Sequence, residues 1–200
     1  MIMAISAADV KKLREETQAP MLDCKKALEA SDGNFEKAIE WLNAKGLSKA
    51  AKKADRETRE GLVESYIHQG NRVGVMIEVN CETDFVARND DFKALVRNLL
   101  LQVAMTSPVY VSEEGVPAEL VAEKKTVFAS EAMAEGKPAN IAEKIADGKM
   151  KKFFDEVCLL NQAFIKDEDK TIRDLVNQAI ATIGENIVVT RFVRYELGQN

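Results

Sequence analysis

Leu62-Val-Glu-Ser-Tyr-Ile-His68 and Val73-Gly-Val-Met-Ile-Glu-Val79, joined by Gln69-Gly-Asn-Arg72, decide the fold of this chain. In the second run Val73, Val75, Ile77 and Val79 alternate with Gly74, Met76, Glu78 and Asn80, the period of two that a half-buried strand requires. The glycine-containing connection predicts an antiparallel hairpin. Ile187 to Leu197 (Ile-Val-Val-Thr-Arg-Phe-Val-Arg-Tyr-Glu-Leu) is β-branched and aromatic, and it needs this hairpin as a partner. A three-stranded antiparallel sheet is the expected result.

Between the hairpin and that last strand the apolar period changes to three and four. Phe92, Leu95, Val96, Leu99 and Val103 mark one helix ending before Pro108. Pro117 to about Glu135 marks a second, stopped by Gly136. Pro138 opens a third through Ile141 and Ile145, which Gly148 is expected to divide from Met150 to Cys158. The last helix starts at Thr171 and Asp174 in capping-box spacing, carries Ile172, Leu175, Val176, Ala179, Ile180 and Ile183 on one stripe, and stops at Gly184. Segregated strands and helices define an α+β chain.

The N-terminal part is helical throughout. Ser6 and Asp9 form a capping-box variant, with Ile5 and Val10 as its hydrophobic staple. Pro20 suits the first turn of a second helix bearing Met21, Cys24 and Leu28. Ser31-Asp-Gly-Asn34 breaks it, and Phe35, Ala38, Ile39 and Leu42 line a third helix expected to end near Gly46. From Lys45 to Gly61 no bulky apolar residue follows Leu47, and Lys45, Lys49, Lys52, Lys53 and Arg56 make the stretch basic. The organisation expected is a three-helix module over 1–48, a polar linker over 49–61 and an α+β core over 62–200.

Composition restricts the functions open to it. The 200 residues are 46% hydrophobic and 30% charged, with 28 basic against 33 acidic side chains and net charge -5. That balance disfavours a partner held by phosphate neutralisation, so no direct nucleic-acid contact is expected and the basic stretch reads as solvated linker. No apolar run is long enough for a membrane span, and the start Met-Ile-Met-Ala-Ile lacks the basic and apolar regions of a signal segment. A cytoplasmic protein is expected. Cys24, Cys81 and Cys158 are far apart and accompanied by one histidine, so neither a disulfide framework nor a zinc site is expected.

Reaction chemistry is nearly absent. There is no phosphate loop, no dinucleotide fingerprint, no nucleophile elbow and no His-Glu-x-x-His. His68, the single imidazole, lies in a strand near Tyr66 and reads as structural. Carboxylate pairs such as Asp90-Asp91 and Glu113-Glu114 are ordinary in so charged a chain. An enzyme is not expected, nor a cofactor or a metal.

Asn80-Cys-Glu-Thr-Asp-Phe-Val-Ala-Arg-Asn-Asp90 stands apart from this, because it puts an aromatic residue between the end of a strand and the start of a helix. Two readings are open. Phe85 is a core aromatic with Asp84 at a helix start, which spacing alone favours, or Phe85 is displayed at a turn.

Met21-Leu-Asp-Cys-Lys-Lys-Ala-Leu28, Val79-Asn-Cys-Glu-Thr-Asp-Phe-Val-Ala87, and Gly136-Lys-Pro followed by Ile141-Ala-Glu-Lys-Ile and Gly148-Lys-Met-Lys-Lys-Phe153 resemble bacterial translation elongation factor Ts. Leu159-Leu-Asn-Gln-Ala-Phe-Ile-Lys166 and Arg191-Phe-Val-Arg-Tyr-Glu-Leu-Gly198 extend the resemblance over almost the whole chain. It implies a guanine-nucleotide exchange factor for elongation factor Tu, with an N-terminal module like a ubiquitin-associated domain. By the same resemblance Asp84 and Phe85, within Thr83, Asp84, Phe85, Val86 and Ala87, intrude into the GTPase and disturb its magnesium site. Arg14, Met21, Leu22 and Lys25 match the module's contact face. Leu22 stands where some members carry Met, a volume-conserving change. A single core unit resembles the short form of the family, which implies a homodimer. A ribosome- or RNA-associated binding protein is the alternative.

Overall fold

The computed structural model describes residues 5–17 and 19–199, and the start Met1 to Ala4 lies outside the described residues. Three helices open the chain: α1 (Ala7–Thr17), α2 (Met21–Ala30) and α3 (Phe35–Ala51). The capping box at Ser6 is present in both directions, since Asp9 N–H donates to Ser6 Oγ at 3.1 Å while Ser6 N–H and Oγ donate to Asp9 at 3.2 and 2.6 Å. Val10, Leu13, Cys24, Ala27, Leu28 and Leu42 bury together, with Ile5, Phe35 and Trp41 packed against them. This cluster lies entirely within the first 42 residues.

The third helix corrects an expectation. It passes Gly46 without a break and continues to Ala51. The reason is tertiary contact on both sides of the glycine: Lys45 and Lys49 on this helix each donate to Asp23 of α2 at 2.7 Å. Two lysines that read as solvated linker are thus spent on a partly buried carboxylate. Burial pushes the Asp23 carboxyl up, and the hydrogen bonds from Lys45 and Lys49 outweigh it, holding the group below the ordinary aspartate range.

Strands β1 (Glu60–Ile67) and β2 (Val73–Cys81) follow, closed by His68 N–H donating to Val73 O at 2.9 Å. A one-turn helix α4 (Asp84–Ala87) and α5 (Asp90–Thr106) come next, then α6 (Ala118–Ala134) and α7 (Ala139–Val157). A short hairpin, β3 (Ala163–Phe164) and β4 (Asp167–Thr171), leads to α8 (Ile172–Ile183) and β5 (Ile187–Glu196). β1, β2 and β5 form the three-stranded antiparallel sheet in the order β1-β2-β5, with β2 central, and β3 pairs with β4 in a second small sheet. The architecture is α+β.

Gly148 does not divide α7, which runs unbroken for 19 residues. A helix-interior glycine costs about 1 kcal/mol relative to alanine, too little to interrupt a helix packed along its length against α6. Lys125 pairs with Asp147 and Lys149 with Glu131, both at 2.7 Å, and Lys149 lies over the Phe128 ring at 5.6 Å.

The β3–β4 hairpin has no counterpart in the sequence reading. Gln102, fully buried on α5, holds it: its Nε2 donates to Ala163 O at 3.0 Å and to Gln162 Oε1 at 3.2 Å, and its Oε1 accepts Ile165 N–H at 3.0 Å. A buried amide satisfied on both ends fixes such a turn, and Phe164 of β3 buries its ring beside it in the chain.

The chain gathers into two compact units. One comprises 1–62, 79–96 and 174–188, and the other 63–78, 97–173 and 189–200.

Candidate functional site

The first unit contains the Asn80–Asp90 segment. β2 enters it with Val79 and Cys81 fully buried. β1 runs close beside: a Cβ at Gly61, whose φ is +149°, would stand 2.2 Å from Val79 O, so only glycine fits there. Past Cys81 the backbone turns sharply, Cys81 Sγ donating to Thr83 O at 3.2 Å.

Thr83 then caps α4, its hydroxyl accepting Val86 N–H at 3.4 Å. Ala87 N–H donates to Thr83 O at 3.2 Å and Arg88 N–H to Asp84 O at 3.2 Å, closing the single turn. Ala87 faces inward and is 6% exposed, whereas Phe85 is 79% exposed. Asp84 pairs with Arg88 at 2.8 Å on the surface. Asn89 Oδ1 accepts Asp91 N–H at 2.7 Å, so α5 begins immediately. Of the five sequence-picked residues, Thr83 and Ala87 build the turn and Phe85 is displayed by it. The core reading of Phe85, which spacing favoured, does not hold.

A residue absent from the sequence reading contributes most of the anchoring. Glu185, between α8 and β5, accepts Glu82 N–H at 3.1 Å, Thr83 N–H at 3.0 Å and the Thr83 hydroxyl at 2.7 Å. Asn186, 3% exposed, donates its backbone N–H to Glu82 Oε1 at 2.6 Å and its side-chain amide to Ala54 O and Arg56 O at 3.3 and 2.9 Å. Nothing local marks either residue, because both act across about a hundred positions of sequence.

On α2 of the same unit, Met21 and Leu22 are 49% and 61% exposed. Lys25 is exposed and pairs loosely with Glu29 at 3.7 Å, and Arg14 is exposed in the last turn of α1. These four therefore lie on the surface of the helical module.

Reactive groups are few. Cys24, Cys81 and Cys158 are free and buried, and burial pushes the thiols of Cys81 and Cys158 up to about 11. They stay protonated and unreactive at neutral pH. His68 Nδ1 lies 2.9 Å from the Tyr66 hydroxyl. Among the described residues no group of three or more His, Cys, Asp or Glu could hold a metal ion, and no helix is long and apolar enough to cross a membrane.

An α+β protein whose candidate site is a set of apolar and charged side chains held out on a helical module and a capped turn is thus defined. The elongation factor Ts family model matches residues 4–199. Elongation factor Ts of Oleidesulfovibrio alaskensis is 60% identical over 195 residues, covering 98% of both chains. Elongation factor Ts of Moorella thermoacetica is 57% identical over 195 residues, covering 98% of this chain and 96% of its own. The chain belongs to the elongation factor Ts family, a family of translation factors.

Proposed function

We propose that this chain is a guanine-nucleotide exchange factor for elongation factor Tu. One observation carries the reading: Phe85, in the segment that the family resemblance assigns to the GTPase contact, is 79% exposed on a backbone-anchored turn. Burying a large aromatic on a partner is what such a side chain gains most from.

Guanine nucleotide in such a GTPase is held by a phosphate loop and a Mg²⁺ bridging phosphate oxygens. An exchange factor supplies no acid or base. It binds the nucleotide-free state more tightly, and ~10⁴-fold faster release corresponds to about 5.5 kcal/mol of preference. Phe85 and Asp84 alone are too small for that. An interface of ~1,600 Å² suffices when Met21, Leu22, Arg14 and Lys25 grip a second part of the GTPase while Phe85 enters near the magnesium site. Thr83, Val86 and Ala87 shape the turn.

In this reading the module over residues 1–48 adds affinity and contributes little to the stability of the 62–200 core, which its self-contained apolar cluster supports. The protein works in the cytoplasm, without cofactor, metal or enzyme chemistry of its own. It pairs as a homodimer: Val63, Ile67, Met76, Val193 and Tyr195 are all exposed on β1, β2 and β5 and line grooves over the sheet. Direct nucleic-acid binding is not part of it, since Lys45 and Lys49 are already engaged by Asp23.

The test is release of a fluorescent GDP analogue from elongation factor Tu. Addition of this chain is expected to accelerate release by orders of magnitude, with little dependence on added RNA. An unchanged rate would refute the proposal.

A further inference from the structure

The turn that displays Phe85 is too short to hold itself. A four-residue helix fixes several dihedral angles for very few hydrogen bonds, so on its own it stays open in water. Phe85, being exposed, adds no packing to close it. Support from outside the turn comes from Glu185. Its Oε2 accepts the N–H groups of Glu82 and Thr83, and its Oε1 accepts the Thr83 hydroxyl, so both carboxylate oxygens are committed at the entrance to the turn. Bonds to an ionised acceptor are about twice as strong as neutral ones.

The bond from the hydroxyl settles where a proton goes. A hydroxyl has one hydrogen and two lone pairs. Because Thr83 gives its hydrogen to Glu185, a lone pair remains for Val86 N–H, one of the first amides of the turn, which have no carbonyl of the helix to bond. Without the carboxylate the hydroxyl is free to rotate, and the cap loses its direction. Glu185 is itself placed by its neighbour, since Asn186 N–H returns to Glu82 and the Asn186 side chain ties down the carbonyls of Ala54 and Arg56. Two residues on each side are therefore laced together reciprocally.

We infer that Glu185 is a positioning residue for nucleotide exchange: it orders the Thr83 cap so that Asp84 and Phe85 meet the GTPase already in their bound orientation. The inference rests on the proposed role of Asp84 and Phe85. Preorganisation lowers the entropy lost on binding, so its removal weakens productive association more than the step that follows.

The experiment measures GDP release from elongation factor Tu against factor concentration for the full chain and for Glu185→Ala, Glu185→Gln, Phe85→Ala and the Glu185→Ala/Phe85→Ala pair. Amide hydrogen exchange and thermal unfolding are followed on the same samples. Glu185→Ala is expected to raise the half-saturating concentration about tenfold while the maximal rate falls less, and to strip protection from the amides of Val86, Ala87 and Arg88 selectively. Glu185→Gln keeps one carbonyl acceptor and should fall between. In the Phe85→Ala background the loss of Glu185 should add little, because it acts through Phe85.

An unchanged half-saturation in Glu185→Ala, beside an impaired Phe85→Ala, overturns the inference and leaves the exchange reading intact. So does a loss of protection spread over the whole chain, or full additivity in the pair. Wild-type release by Phe85→Ala refutes the Asp84–Phe85 assignment and the exchange role of Glu185 with it. Should Glu185→Ala fail to fold, Glu185→Gln carries the same comparison.

Discussion

Phe85 and Tyr195 are both exposed aromatics, 79% and 72% in the open, and they are supported in opposite ways. Phe85 is the one exposed apolar side chain on its turn, where Asp84 and Arg88 pair with each other at 2.8 Å. Tyr195 belongs to a face, with Val63, Ile67, Met76 and Val193 on the same three strands. A single aromatic with a polar surround gains by entering a pocket, whereas a continuous apolar face gains by covering another flat surface. The two exposures fit the two partners proposed above, a GTPase for the turn and a second copy of the chain for the sheet.

The most damaging substitution should be Phe85→Ala. As an anchor in a desolvated pocket it is worth ~2 to 4 kcal/mol of binding, a loss of roughly 30- to 1,000-fold in exchange efficiency. Stability should change by less than ~0.5 kcal/mol, because an exposed side chain leaves no cavity. GDP release and denaturant unfolding on one preparation decide it: a stability loss of ~3 kcal/mol or more with normal release would mean that the aromatic packs in solution.

Tyr195→Asp should have a smaller effect, and on assembly alone. A charge placed on an apolar face is costly to cover, and dimerisation should weaken by about tenfold or more. Light scattering or sedimentation should report a shift from dimer to monomer that reductant does not reproduce, since the cysteines are buried and free. A wild-type chain already monomeric at micromolar concentration would remove the sheet side of the comparison.

How legible the two exposures were differs as much as their surroundings. The sheet was readable because a period of two over Val73 to Val79 admits few other structures. Phe85 was not, because an aromatic between a strand and a helix has no period to say which way it faces. The β3–β4 hairpin has no local signal for a related reason: Asp167-Glu-Asp-Lys-Thr171 has the composition of a loop, and it is a strand by pairing with β3, whose backbone Gln102 of α5 holds. Gly46 and Gly148 were read as stops where tertiary packing carries the helix through. Glu185 shows the limit of local reading, since its partners lie 102 and 103 positions away.

The smallest effect serves as the control for the other two. Gly148 sits inside α7, is exposed, and has nothing within 4 Å of where a Cβ would be. Alanine there should lose no contact and meet no clash, while the unfolded chain loses some of its freedom and the helix gains propensity. The expected gain is ~0.4 to 1 kcal/mol, seen as a higher denaturant midpoint at unchanged slope. Release and dimerisation should both stay at wild-type values, because α7 carries neither exposed aromatic. If stabilising this helix slowed nucleotide release, the hairpin of α6 and α7 would itself take part in exchange, and the assignment of separate partners to the turn and the sheet would need a third surface.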